Sequence, residues 1–302
     1  MRLSYPRATS GVQPRGAQMV YAISPDDKTP TKALRRIARS ELGTAMKLAG
    51  KPDPSVHALR KAIKKTRGLI RLFAPHFADF YKENETLSEA ARGISGLRDD
   101  EVMRASLIRL GREGPDLDGA SAARTMLEAL PATPPPKEGD ISTFVKRVTE
   151  IRKRAKDWEV SAKGWPAYET GLHETLKDCR KRLKTAQKSH AGADLHHWRT
   201  RVKQHWYHTR LLAPIWPEML HPREDALDTL GELIGDHHDL HVLEMRVPEH
   251  LDPERAEALL ALIRTESARL EAEAFTLGAK IFAEPPEPLC DRWGAWFELW
   301  KA

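Results

Sequence analysis

The sequence predicts an all-α protein, with two pseudo-symmetric helical bundles made by internal duplication around a basic central channel. Three observations predict it. Apolar residues recur at helical spacing along most of the chain, and no convincing strand or hairpin signal interrupts them. Proline and glycine gather in short breaks between the periodic segments. A cationic, amphipathic stretch near residue 60 returns 139 residues later.

Residues 1–27 show no clear period and are expected to form a flexible tail, with "QMVYAI" docking on the body. From residue 28 to 302 the chain reads as one domain. Its halves, 28–130 and 141–302, are joined by a Pro-rich linker at 131–140. Leu34, Ile37, Ala38, Leu42 and Met46 mark a first helix, ended by Gly50. Asp53 and Pro54 suit the start of a second, which runs to about Phe73. A long third helix is expected over Asn84–Leu110. "PATPPPKEG" cannot be helical. The helical pattern resumes at Ile141, breaks at Gly164-Trp165-Pro166 and continues to Lys188, with further helices at 194–213, 222–246 and 252–281. After "AEPPEP", the aromatic "WGAWFELW" reads as a cap over the core.

The 302 residues suffice for a sizeable core. The net charge of +6 leans towards an anionic partner without identifying it. Cys179 and Cys290 match no metal or redox spacing and fit free thiols in a reducing compartment. No stretch approaches the roughly 20 apolar residues of a membrane span. The N-terminus has no apolar core of the signal-peptide kind, so a cytoplasmic location and no membrane partner are expected. No Gly-rich phosphate loop, nucleophile elbow or Cys/His zinc pattern is present, and no cofactor is expected.

The stretch "VHALRKAIKKTRGLIRLF" places His57, Arg60, Lys64, Arg67 and Arg71 within about an 80° arc of a helix. No acidic residue lies between Ala58 and Phe73. A solvated face normally mixes signs, because like charges at i, i+4 repel. In "LHHWRTRVKQHWYHTRLL", His196, Arg199, Lys203 and Arg210 repeat the offsets of His57, Arg60, Lys64 and Arg71. Downstream, "GLRDDEVM" and "DHHDLHVL" correspond with a shift of 140, matching Asp99 to Asp239 and Val102 to Val242. Each stripe is about 21 Å long from its histidine to its last arginine. Two such stripes brought together would form a groove or pore whose repulsion a polyanion relieves, with Arg and Lys as phosphate donors. Both histidines are expected near helix N-termini, where a phosphate would raise their pKa and strengthen binding as pH falls.

The His-x-x-Arg-x-x-x-Lys pattern on two helices, each followed by an Arg-Asp or Gly-Asp-x-x-Asp segment, resembles the CHAD domain (conserved histidine α-helical domain) over about residues 28–280. The resemblance implies an internally symmetric helical fold whose basic channel binds inorganic polyphosphate without catalysis, often at polyphosphate granules. It carries the binding role to His57, Arg60, Lys64, Arg67 and Arg71, to His196, Arg199, Lys203, Tyr207 and Arg210, and to Arg98. The Glu-x-Glu-x-Lys mark of the hydrolase often fused to such domains is absent. The second repeat departs from the family in its many histidines, including "GDHHD", and has Trp206 in place of Arg67.

Two other readings stand beside this one. A basic helix is compatible with nucleic-acid binding, and weak binding through the same cations is expected, although no known DNA- or RNA-binding motif is present. The cluster His237, His238, Asp239 and His241 has an i, i+4 histidine pair usable by a metal and defines a less favoured metal-dependent phosphohydrolase.

Overall fold

The computed structural model describes residues 21–94, 98–113, 117–130 and 138–302; at residues 98–101, 113 and 138 only the backbone is described. Helix α1 (Pro30–Ala49) starts where Thr29 accepts a hydrogen bond from the Lys32 amide, and Gly50 ends it. Helix α2 (Val56–Leu72) is capped by Ser55, whose hydroxyl accepts from the Ala58 amide. The expected start at Asp53-Pro54 therefore lies two residues too early. Helices α3 (Phe80–Arg92) and α4 (Arg98–Glu113) replace the single helix expected over Asn84–Leu110. A further helix, α5 (Leu117–Ala129), was not expected as a separate element.

The second set is α6 (Glu138–Arg154), α7 (Pro166–Ser189), α8 (Gly192–Leu212), α9 (Pro217–Arg246), α10 (Pro253–Ile281) and α11 (Pro286–Lys301). His190 separates α7 from α8 in a left-handed conformation, with φ 52°. No strand occurs among the described residues. The all-α expectation is met.

Packing does not follow the expected division at 131–140. Helix α6, assigned by sequence to the second half, packs on α1 and α3. Helix α1 packs on α2 and α6, as α7 packs on α8 and α11; α4 packs on α5, as α9 packs on α10. The larger apolar core draws on α1, α2, α3, α6, α7, α8 and α11, the first part of α9 and the end of α10. The smaller is built by α4, α5, the later part of α9 and most of α10. Each core thus takes helices from both sides of the Pro-rich run, because the apolar faces of α2 and α4 are completed by α8 and α9. Trp293 and Phe297 are buried, so the aromatic C-terminus does cover the core.

Residues 21–27 of the expected tail are packed, and Tyr21–Ile23, the end of "QMVYAI", dock on the body as expected. Tyr21 and Ile23 are buried, the Ile23 amide donates to the Leu211 carbonyl at 3.0 Å, and the Tyr21 hydroxyl donates to the Lys65 carbonyl at 2.7 Å. Besides these apolar residues, Arg36 of α1 donates to Asp27 and to the Ala22 carbonyl, and Lys301 of α11 to the Pro25 and Asp27 carbonyls.

Helix α6 is tied to α3 by an ion pair at the edge of the core. Arg154 donates from Nε and an Nη to the two carboxylate oxygens of Glu83, at 2.7 and 2.8 Å, and Glu83 is almost fully buried. Removing one member strands a buried charge, which costs more than the pair contributes. Arg154→Ala should lower unfolding free energy by about 2 kcal/mol, discounted because the guanidinium is partly exposed. The double variant Glu83→Leu/Arg154→Leu should recover most of that in chemical denaturation.

Candidate functional site

Helices α2 and α8 cross where Gly68 meets Tyr207. A Cβ on Gly68 would lie 2.7 Å from the Tyr207 Cβ, so only glycine allows this approach. Beside the crossing, His208 Nε2 lies 3.2 Å from the Gly68 carbonyl and acts as its donor. Gly68 and Tyr207 are 139 residues apart, the offset of the sequence repeat. The two helices therefore touch at corresponding positions, with the cations on both flanking one crossing.

On α2, His57 is the second residue and exposed, while Arg60, Lys64, Arg67 and Arg71 are half-buried. Arg67 Nε donates to Asn84 Oδ1 at 3.0 Å, and the Arg71 guanidinium lies 4.7 Å from the Phe80 ring centroid. Among the described residues neither arginine has a carboxylate within ion-pair distance. Burial lowers the pKa of both, helped at Arg71 by Arg201 and Arg67, and at Arg67 by Arg92. Both stay charged at neutral pH, so this tract concentrates desolvated positive charge.

Helix α8 is arranged differently. Lys203 Nζ pairs with Asp228 at 2.8 Å, Arg210 with Glu224 at 3.7 Å and Arg201 with Asp178 at 3.3 Å. Arg199 Nε donates to the Gly231 carbonyl at 3.3 Å. Gly231 and Gly235 make the room, since a Cβ on either would fall within 3 Å of Lys203 or Arg199 side-chain atoms. Trp206 is buried and carries Lys203 and Arg210 over its ring, at 4.8 and 5.6 Å. Lys203 and Arg210 of the second stripe thus have carboxylate partners on α9. The signal was present in α9, where Glu224, Asp228, Gly231 and Gly235 recur at helical spacing, but the sequence did not say which helix they would face.

Tyr207, expected near the polar stripe, is buried against Gly68 and the Tyr21 ring, at 5.9 Å between centroids. Burial raises its pKa, and its place is in the crossing. Arg98 lies at the start of α4, and its side chain is outside the described residues, as is that of Asp99. Asp236 pairs with Arg109 of α4, an arginine outside the two stripes.

His196 is half-buried in the second turn of α8 and packs against His238 of α9, with ring centroids 4.4 Å apart and planes tilted by 45°. His237 instead lies 3.9 Å from Glu271, and His241 lies 3.9 Å from Glu244. His237 and His238 diverge around α9 because successive helical residues point 100° apart. Among the described residues no group of three His, Cys, Asp or Glu side chains is placed to hold a metal ion.

His205 and His208 are fully buried, and burial drives the His208 pKa down to about 3 and that of His205 well below its usual value. Arg223 Nε donates to His205 Nε2 at 3.2 Å, a bond that requires that nitrogen to be unprotonated. An unfolded histidine titrates near 6.5. Between that value and about 3 the unfolded chain binds more protons at position 208 than the folded one. Stability should therefore fall as pH falls through this window. His208→Gln should flatten the slope by up to one proton, about 1.4 kcal/mol per pH unit, in denaturation curves collected from pH 7 to 4.

The architecture places the chain among all-helical proteins in which two long basic helices cross at matching positions. It belongs to the CHAD domain family, which matches residues 31–248. Among solved structures it is similar to PptA from Streptomyces chartreusis, with 15% identity and a TM-score of 0.51, over 84% of this chain and 98% of that one. That likeness concerns the fold. No match was found among curated proteins. No described helix is long and apolar enough to cross a membrane.

Proposed function

We propose that the chain binds inorganic polyphosphate, without catalysing its turnover, along a basic channel between the two duplicated halves. The supporting observation is the contact of α2 and α8 at Gly68 and Tyr207, which brings Arg71 within electrostatic reach of Arg201 and Lys65 within reach of Arg210. A chain of phosphates is a suitable counter-ion because it presents oxygens along its whole length to arginine forks and lysine ammoniums. The family membership of the chain supports the same ligand. On this reading His57, Arg60, Lys64, Arg67 and Arg71 form one wall, with Arg98 beside them. His196, Arg199, Lys203 and Arg210 form the other, and Tyr207 acts as the spacer. The setting proposed is the cytoplasm, at polyphosphate granules.

Calorimetric titration with long-chain polyphosphate, with single-stranded DNA of matched charge as competitor, tests the reading. Submicromolar binding that DNA does not displace, and that weakens steeply with salt, is expected. Equal displacement by DNA would turn the basic helices into a nucleic-acid surface, and absence of binding would overturn the proposal.

A further inference from the structure

We propose that His238 is an additional phosphate-binding side chain, which with His196 takes up a proton when the polyanion arrives. This deepens the polyphosphate reading and rests on it. His238 is not among the positions to which the resemblance carries a binding role, but its counterpart at the 140-residue shift is Arg98, which is among them. The substitution pairs a permanent cation in one half with a conditional one in the other.

The geometry carries the inference. The His196 and His238 rings lie 4.4 Å apart at the His196 end of the α8 stripe, and both are half-buried, so an anion can reach them. His196 Nδ1 is buried and makes no hydrogen bond among the described residues. Arg199 and His196 act on His238 from α8, and His237 and His241 from its own helix; all four disfavour its charged form. Several carboxylates on the helices around it are engaged elsewhere, among them Asp194 of α8, 4.0 Å from His197. Asp236 pairs with Arg109 of α4, Glu271 of α10 with His190 and His237, and Glu244 with His241 and with Arg264 of α10. Burial and these neighbours hold His238 down to about 4, and His196 is lowered as well by burial, Arg199 and His197. In the free protein at neutral pH the pair is thus uncharged. A phosphate drawn in by Arg199 reverses the local field and favours the imidazolium, which then donates to a phosphate oxygen. The internal phosphates of the polymer remain ionised throughout, so the proton goes to the protein.

Titration of the full chain with long-chain polyphosphate at pH 6.5, in two buffers of different ionisation enthalpy, should show net proton uptake. Affinity should rise about tenfold between pH 7.5 and 5.5, as linkage requires when binding takes up about half a proton on average across that range. His238→Gln should lose most of that rise, with circular dichroism confirming the fold at both pH values. Binding without proton uptake, or an unchanged pH dependence in the variant, would overturn the role of His238 while leaving polyphosphate binding intact. No binding at any pH would instead fail the underlying reading.

Discussion

Replacing Arg60 and Arg199 together by alanine is expected to weaken polyphosphate binding by about a hundredfold or more. Each is a charge-assisted donor contributing about 1.5–3 kcal/mol, and tenfold in affinity corresponds to about 1.4 kcal/mol. The two occupy equivalent positions, three residues after His57 and His196, so one change falls on each wall of the proposed channel. Lys181, exposed on α7, serves as the control, and Lys181→Ala should change affinity by less than about twofold. Titration at one fixed salt concentration decides the matter. If Lys181→Ala weakened binding as much as either arginine variant, recognition would be by diffuse charge.

The second large effect concerns the scaffold that holds Arg71 in place. Gly171 of α7 faces the last turn of α2 so closely that a Cβ there would lie 2.0 Å from the Leu72 carbonyl oxygen and 3.1 Å from that of Arg71. These are backbone atoms at a helix end, and no side-chain rotation can relieve the overlap. Gly171→Ala should therefore push α7 away from α2. The expected net cost is about 3 kcal/mol, even though alanine is favoured over glycine within a helix by about 1 kcal/mol. Thermal unfolding should show a midpoint lower by at least about 4 °C. Gly139→Ala, where a Cβ would meet nothing within 4 Å, should stay within about 0.5 kcal/mol of the parent. An unchanged midpoint in Gly171→Ala would mean that the two helices can separate at no cost.

These variants probe features of unequal legibility. Arg60 and Arg199 were visible in the sequence, because a single-signed stripe repeated at a fixed offset is a linear pattern. Gly171 was not, because nothing in "YETGLHE" tells that another helix will end against it. The break between α3 and α4 was missed for a related reason. The corresponding region of the second half does form one long helix, α9, so periodicity alone could not separate the two outcomes.

The sequence by itself determined the helical class, most helix positions, the duplicated cationic stripes and the resemblance to the CHAD domain. All of these depend on residue type and spacing along one chain. Only the tertiary structure decided the rest. It set α6 on the first half, buried Tyr21 and Tyr207 at the crossing, gave the α8 cations their carboxylates from α7 and α9, and brought His238 onto His196. The physical reason is common to all four. A helix fixes which of its own residues share a face, whereas the partner of that face is chosen by packing between segments far apart in the chain.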